Sequence, residues 1–218
     1  MASVARQQPR LSALAEAGLG AVGMCVFGLF AHRGFPWALL AAAGLAATVL
    51  ALHRAIMSVP DLRALLGLGL PSRSSATWLI GGVTLGIGLA AAFRWRCGQS
   101  PFPAAFGLFA AVAGLVGAAE ELLYRGYIQG RLRVLGRAWA VILAAAAHTA
   151  YKIALFAINP AQVRTDFLFL AVATLLGGIV FGALRERAGS VWPAVAAHAC
   201  FDVLVYGDLA QAPWWVWQ

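Results

Sequence analysis

An all-α polytopic bundle of about seven to eight transmembrane helices, forming one integral-membrane domain over residues 1–218, is what this sequence predicts. Of the 218 residues, 62% are hydrophobic and 11% charged, whereas soluble domains hold roughly 25% charged residues. The apolar residues also gather into runs near the roughly 20 residues a helix needs to cross a bilayer, and most charges fall in the short gaps between runs. No period-two alternation competes, so a barrel is not expected.

The first ten residues are polar, and the run from about Leu11 to Ala31 reads as a retained first span, long enough to cross and lacking a convincing cleavage site. His32-Arg33-Gly34 makes a turn, and Phe35 to about Met57 is the second span. Pro60 to Ser75 is a connector in which Leu62, Leu65, Leu66 and Leu70 recur near helical spacing, as in an interfacial amphipathic helix. A glycine-rich third span covers Ala76 to about Phe93, and Arg94 to Pro101 is a loop by its charge, Gly and Pro content. The fourth span runs from about Phe102 and ends in Glu120-Glu121-Leu122-Leu123-Tyr124-Arg125-Gly126, followed by a basic loop or half-buried helix with Arg131, Arg133 and Arg137. The fifth, about Ala138 to Ile158, carries His148 and Lys152 and stops at Asn159-Pro160. The sixth spans about Phe167 to Leu184, and the seventh, about Val191 to Tyr206, carries His198 and Asp202. Pro213 to Trp217 is a tryptophan-rich interfacial anchor.

The net charge of +8 signals topology and contact with anionic lipid. Nucleic acid is not an expected partner, because no basic patch is interleaved with aromatics outside the apolar runs. With the N-terminus inside, inner segments hold Arg6, Arg10, Arg54, Arg63, Arg73, Arg131, Arg133, Arg137, Arg185 and Arg187, against Arg33, Arg94, Arg96 and Arg164 outside. The expectation is therefore a multi-pass protein of the cell inner (plasma) membrane with a cytoplasmic N-terminus. Cys25, Cys97 and Cys200 are odd in number and lack CxxC spacing, which argues against a disulfide framework.

Seven ionisable groups remain embedded in or against hydrocarbon: Glu120, Glu121, Arg125, His148, Lys152, His198 and Asp202. Such groups cost roughly 2.5–3.5 kcal/mol each on insertion scales unless partnered, and mark function by default. Glu121 and Arg125 stand at i and i+4 with the acid first, the favourable order for a helical ion pair, and read as support. Glu120, rotated by about 100°, is free to face elsewhere. His198 and Asp202 are also i and i+4, so the carboxylate can reach the imidazole or share its ligand. The depths of Glu120, His148 and His198 differ by about two turns, which allows one pocket. A glutamate and two histidines are what water activation needs, with or without a metal. The plainer readings are an acidic anchor at a helix end, satisfied interhelical histidines, loop-border His32 and His53, and a Lys152 that snorkels to the interface.

EELLYRG resembles the EExxxR signature of the CAAX-processing and bacteriocin-processing membrane proteases, the Abi or CPBP family. The stretch Gly178 to Asp202 looks like that family's closing motif, in which a His is followed four residues later by Asn or Asp. The similarity covers about the last half of the chain, with the motifs within 118–205, and departs at the FxxxH motif, where Ala144 precedes His148. It implies a glutamate-dependent intramembrane endopeptidase. Glu120 and His148 would activate water, and His198 with Asp202 would polarise the carbonyl and hold the oxyanion. Glu121 and Arg125 would support the site. The resemblance leaves a metal open: a metal-free glutamate mechanism is the first expectation, and a divalent ion such as zinc on Glu120, His148 and His198 is the alternative. The expected partners are membrane lipid and a protein or peptide with a membrane-associated C-terminal segment. A non-catalytic immunity or scaffold protein on the same fold and a small transporter are the alternatives, and the Ala, Gly and Arg bias suggests a bacterial source.

Overall fold

The computed structural model describes residues 2–30, 44, 47–48, 51, 62–69, 73–157 and 165–209. The expected second span falls almost wholly outside the described residues, as do His32, His53, Asn159-Pro160 and the tryptophan-rich tail. Among the described residues every regular element is helical: α1 (Ala2–Phe30), α2 (Leu62–Leu66), α3 (Arg73–Arg96), α4 (Leu108–Glu121), a π-helical segment (Leu122–Ile128), α5 (Gln129–Leu132), a 3-10 turn (Arg133–Leu135), α6 (Arg137–Ala157), α7 (Phe167–Ala188) and α8 (Trp192–Val205). The stretches Leu11–Phe30, Ala76–Arg96, Arg137–Ala157 and Phe167–Ala188 are long and apolar enough to cross a membrane.

Local chemistry sets several boundaries. Asp166 caps α7, its Oδ1 accepting the Phe169 amide at 2.9 Å, which satisfies an amide the helix leaves free. Gly189 closes α7 in the left-handed conformation at φ 66°, where a Cβ would be strained. Pro193 occupies the first turn of α8, the one helical position where a missing N–H is harmless. On α7, Leu168, Val172, Leu176 and Val180 recur at i+4 and are exposed. Such a stripe is the face a membrane helix gives to hydrocarbon.

The short helix α8 is the centre of one half, flanked by α3 and α4. A Cβ at Gly82 or Gly86 of α3 would overlap the Pro193 or Ala197 carbonyl of α8, so these glycines let the backbones touch, as small residues do between membrane helices. In the other half α6 lies between α1 and α7. Tyr124, Tyr127 and Ile128 of the π segment form a buried cluster there with Ala17 and Met24 of α1 and Ala140, Ala144, Tyr151 and Leu155 of α6.

Two expectations need correction and one is refined. The fourth span does not end at Tyr124: α4 begins at Leu108, and the helical path continues through the π segment to Leu132, so Glu120 lies about 18 Å from that end at 1.5 Å per residue. The acid pair is therefore within a rod, not an anchor at a helix end. The connector does carry a short helix, α2, with Leu62, Leu65 and Leu66 half-buried and Arg63 and Ala64 exposed, but it is packed against the protein. Leu65 and Leu66 pack on the core, the α2 backbone abuts Gly126 and Gly130, and Arg185 Nη2 donates to the Leu65 carbonyl at 2.8 Å. Finally, Arg94, Arg131 and Arg185, counted above as loop charges, are buried, because each has an ion-pair partner: Asp208, Glu16 and Glu186 respectively.

Candidate active site

The six residues Glu120–Arg125 of α4 and the π segment put Glu120, Glu121 and Arg125 against α6, which supplies His148 and Lys152, and α8, which supplies His198 and Asp202. All but Lys152 are buried. Glycines make the room: a Cβ on Gly117 would meet Asp202 Oδ2 and His198 Cδ2, and one on Gly178 of α7 would come within 2.9 Å of Arg125 Nη2.

Glu120 is held at both oxygens by α6. Lys152 Nζ donates to Oε1 at 2.7 Å, and His148 Nε2 lies 3.0 Å from Oε2. The other nitrogen of His148, Nδ1, lies 3.1 Å from Arg125 Nη1. Arginine is only a donor, so Nδ1 accepts, and the ring proton of neutral His148 sits on Nε2. His148 thus donates to Glu120. Its ring lies 4.6 Å from that of Tyr124, and Ala144, at the position where the resembling family has Phe, belongs to the same buried cluster as Tyr124.

His198 is oriented by the second glutamate. Its Nδ1 donates to Glu121 Oε1 at 2.8 Å, and the same oxygen accepts from Arg125 Nη1 at 2.8 Å. The His198 Nε2 atom then points at Glu120 Oε2 at 3.8 Å and Asp202 Oδ2 at 3.7 Å. Both separations are too long for a direct hydrogen bond, and of the length a bridging water or substrate oxygen spans. Phe181 of α7 covers the ring at 5.7 Å.

The structure therefore brings Glu120, Glu121, Arg125, His148, His198 and Asp202 into one cluster, with two roles revised. Glu121 is more than a partner for Arg125, because it also fixes the ring of His198; a carboxylate has several lone pairs and can serve both. Asp202 stands at ion-pair distance from His198 Nε2, 3.7 Å, without a direct hydrogen bond, since the i, i+4 spacing aligns the two residues without setting their side-chain rotamers. Lys152 was missed as a site residue. The signal was available: it is the only lysine in a chain with fifteen arginines, one turn from His148.

A zinc ion on Glu120, His148 and His198 does not suit these donors. The Nε2 of His148 that faces the site carries the proton, and so offers no lone pair to a metal. Lys152 places a cation against the carboxylate a metal would need. Among the described residues, no group of three or more His, Cys, Asp or Glu side chains is disposed to hold a metal.

Residues 101–204 match the protein-family model described as "Rce1-like: Type II CAAX prenyl endopeptidase Rce1-like". The matched segment contains every residue of the cluster. No curated protein and no solved structure matches the chain.

Proposed function

From the premise that residues 101–204 belong to the Rce1-like family, that of a CAAX-protease-type enzyme in a multi-pass membrane protein, we propose a glutamate-dependent, metal-free endopeptidase. It hydrolyses a peptide bond near the membrane-associated C-terminus of a protein or peptide. The observation that carries this reading is the arrangement about Glu120: α6 holds both carboxylate oxygens, and His198 Nε2 faces Oε2 across 3.8 Å. That leaves a base with spare lone pairs beside a ring nitrogen, buried from bulk water.

In this mechanism the Glu120 carboxylate takes a proton from water as the water oxygen bonds to the scissile carbonyl carbon. Protonated His198 donates from Nδ1 to Glu121 and from Nε2 to the developing oxyanion, which is worth most in a dry site. On collapse the C–N bond breaks, and the proton held by Glu120 passes to the leaving amine, restoring the carboxylate. His148 orients Glu120, and Asp202 steers the His198 ring. Arg125 holds Glu121 and the acceptor nitrogen of His148. Nothing in these steps calls for a metal.

The family description names prenyl endopeptidases, so a prenylated C-terminal peptide is the first substrate class to test, beside the same peptide unlipidated. We place the N-terminus in the cytoplasm and the protein in the plasma membrane, in contact with lipid. In proteoliposomes, wild type should cleave such a peptide with or without chelator, and Glu120→Ala should not. A comparison of C-termini in membranes carrying wild type or Glu120→Ala identifies natural substrates. Cleavage by Glu120→Ala at the wild-type rate would overturn the reading.

A further inference from the structure

We infer that Lys152, the only lysine of the chain, is a positioning residue for hydrolysis, acting through Glu120. The inference rests on the function proposed above and adds a residue that the motif resemblance does not assign.

Three observations point to it. Lys152 Nζ lies 2.7 Å from Glu120 Oε1, while His148, one turn earlier on the same face of α6, holds Oε2 at 3.0 Å. Together they grip the carboxylate at both oxygens and fix its plane. Lys152 is also the full cation in direct contact with Glu120. Arg125, the other cation of the cluster, places its Nη1 on Glu121 and His148 instead. Finally, the cluster contains three carboxylates, Glu120, Glu121 and Asp202. A buried carboxylate stays ionised only with a partner close by, and Glu120 must be ionised to accept a proton from water.

The choice of lysine suits this task. An ammonium is a compact point charge on a flexible stem, whereas the guanidinium is a wide planar fork that engages a carboxylate through two parallel bonds. An arginine fork on Glu120 would occupy both oxygens and leave less of the base for water. Lysine takes one oxygen and leaves the other to His148 and the reaction. The Lys152 side chain is 19% exposed, against 5% for Glu120. Its stem thus runs from the rim of the cluster inward, not outward to the interface as its place in the sequence had suggested.

The test compares wild type, Lys152→Gln, Lys152→Met, Lys152→Arg and Glu120→Gln, purified in detergent and assayed in proteoliposomes on one cleavable peptide. A melting curve in detergent is taken for each. The expected result is a fall in kcat on the order of 10²-fold for Lys152→Gln and Lys152→Met, the size of effect a misplaced catalytic group produces. KM should stay within about twofold, because the lysine acts through the base and not on bound substrate. Lys152→Arg should recover part of the lost kcat, since it restores the charge without the shape. Wild-type kcat in either neutral variant, with Glu120→Gln inactive, overturns the role of Lys152 and leaves the glutamate mechanism standing. A change in KM alone assigns Lys152 to substrate binding and overturns it too. Activity in Glu120→Gln overturns the underlying reading instead. Should Lys152→Gln fail to fold, the apolar Lys152→Met and the charged Lys152→Arg still decide between charge and packing.

Discussion

Two glutamates gather cations in this molecule, half-buried Glu186 and buried Glu120, and they do so differently. Glu186 on α7 accepts from Gln129 Nε2 at 2.8 Å, Arg133 Nε at 3.0 Å, Arg133 Nη2 at 2.7 Å and Arg185 Nη1 at 2.8 Å. Three of these four donors crowd Oε1 and one takes Oε2, one arginine grips the carboxylate as a fork, and Gln129 and Arg133 thereby tie the chain beyond the π segment to α7. Glu120 receives one lysine on one oxygen and one histidine on the other, with the Tyr151 hydroxyl within reach of the carboxylate and His198 Nε2 close but unbonded. A carboxylate crowded by four donors is a brace, because little acceptor capacity remains for a substrate proton. A gripped but unsaturated one is a reagent. The deeper of the two, Glu120, is also the one with more acceptor capacity left over.

The widest separation should come from replacing each glutamate by its amide. Glu120→Gln should lower cleavage by about 10²–10⁴-fold, the usual contribution of a general base, with little change in melting temperature. Cleavage assays beside melting curves would check both halves, and an equal loss of activity in Glu186→Gln would break the contrast. Glu121→Gln should be next in size and mixed in kind. It leaves Arg125 buried without its counter-charge, which costs about 3–5 kcal/mol in comparable pairs, and loosens the Nδ1 anchor of His198, so activity and stability should fall together. Glu186→Gln should reduce stability by about 1–3 kcal/mol, since one buried acceptor becomes a donor facing arginines, while kcat in the folded fraction is kept.

The smallest effect concerns a third carboxylate, Asp208, beyond the end of α8. It pairs with Arg94 of α3 and accepts from the Ala104 amide at 2.7 Å, joining the α3–α4 loop to the end of α8. The hydrogen bond from Arg94 holds its carboxyl below the ordinary value for aspartate. A depressed carboxyl contributes stability above its unfolded pKa, near 3.9, and loses it as the pH falls through the lower folded value. Melting temperature should therefore drop between about pH 4 and the acid side of that value. Asp208→Asn should flatten the drop slightly, with no change in the cleavage rate at neutral pH.

Much of the fold was legible because membrane helices obey local rules. The third, fifth and sixth expected spans agree with α3, α6 and α7 to within a few residues at each end, since length and apolarity alone mark a crossing segment. The seventh matches α8 in position, but at 14 residues that helix is shorter than a crossing segment needs. The fourth was misjudged at Tyr124. Its charged motif looks like a terminus in sequence, yet the residues 124–128 are all buried among α1, α2, α6 and α7, and the chain stays helical there. Of the site, the i, i+4 pair of Glu121 and Arg125 was readable and is present at 2.8 Å. The equally spaced His198 and Asp202 stand 3.7 Å apart, because Glu121, a long-range neighbour, takes the other ring nitrogen and sets how the imidazole is turned.

By itself the sequence determined that the chain is a helical membrane bundle and that Glu120, Glu121, Arg125, His148, His198 and Asp202 are the groups to explain. Apolar length, and the cost of burying charge, are properties of a segment and need no neighbours to be read. The tertiary structure decided who partners whom: Lys152 with Glu120, Glu121 with His198, and Arg125 with the nitrogen that sets the tautomer of His148. Those pairings depend on the rotation and closeness of α4, α6 and α8. Glycines such as Gly117 and Gly178 permit that packing, and no spacing along a single helix encodes it.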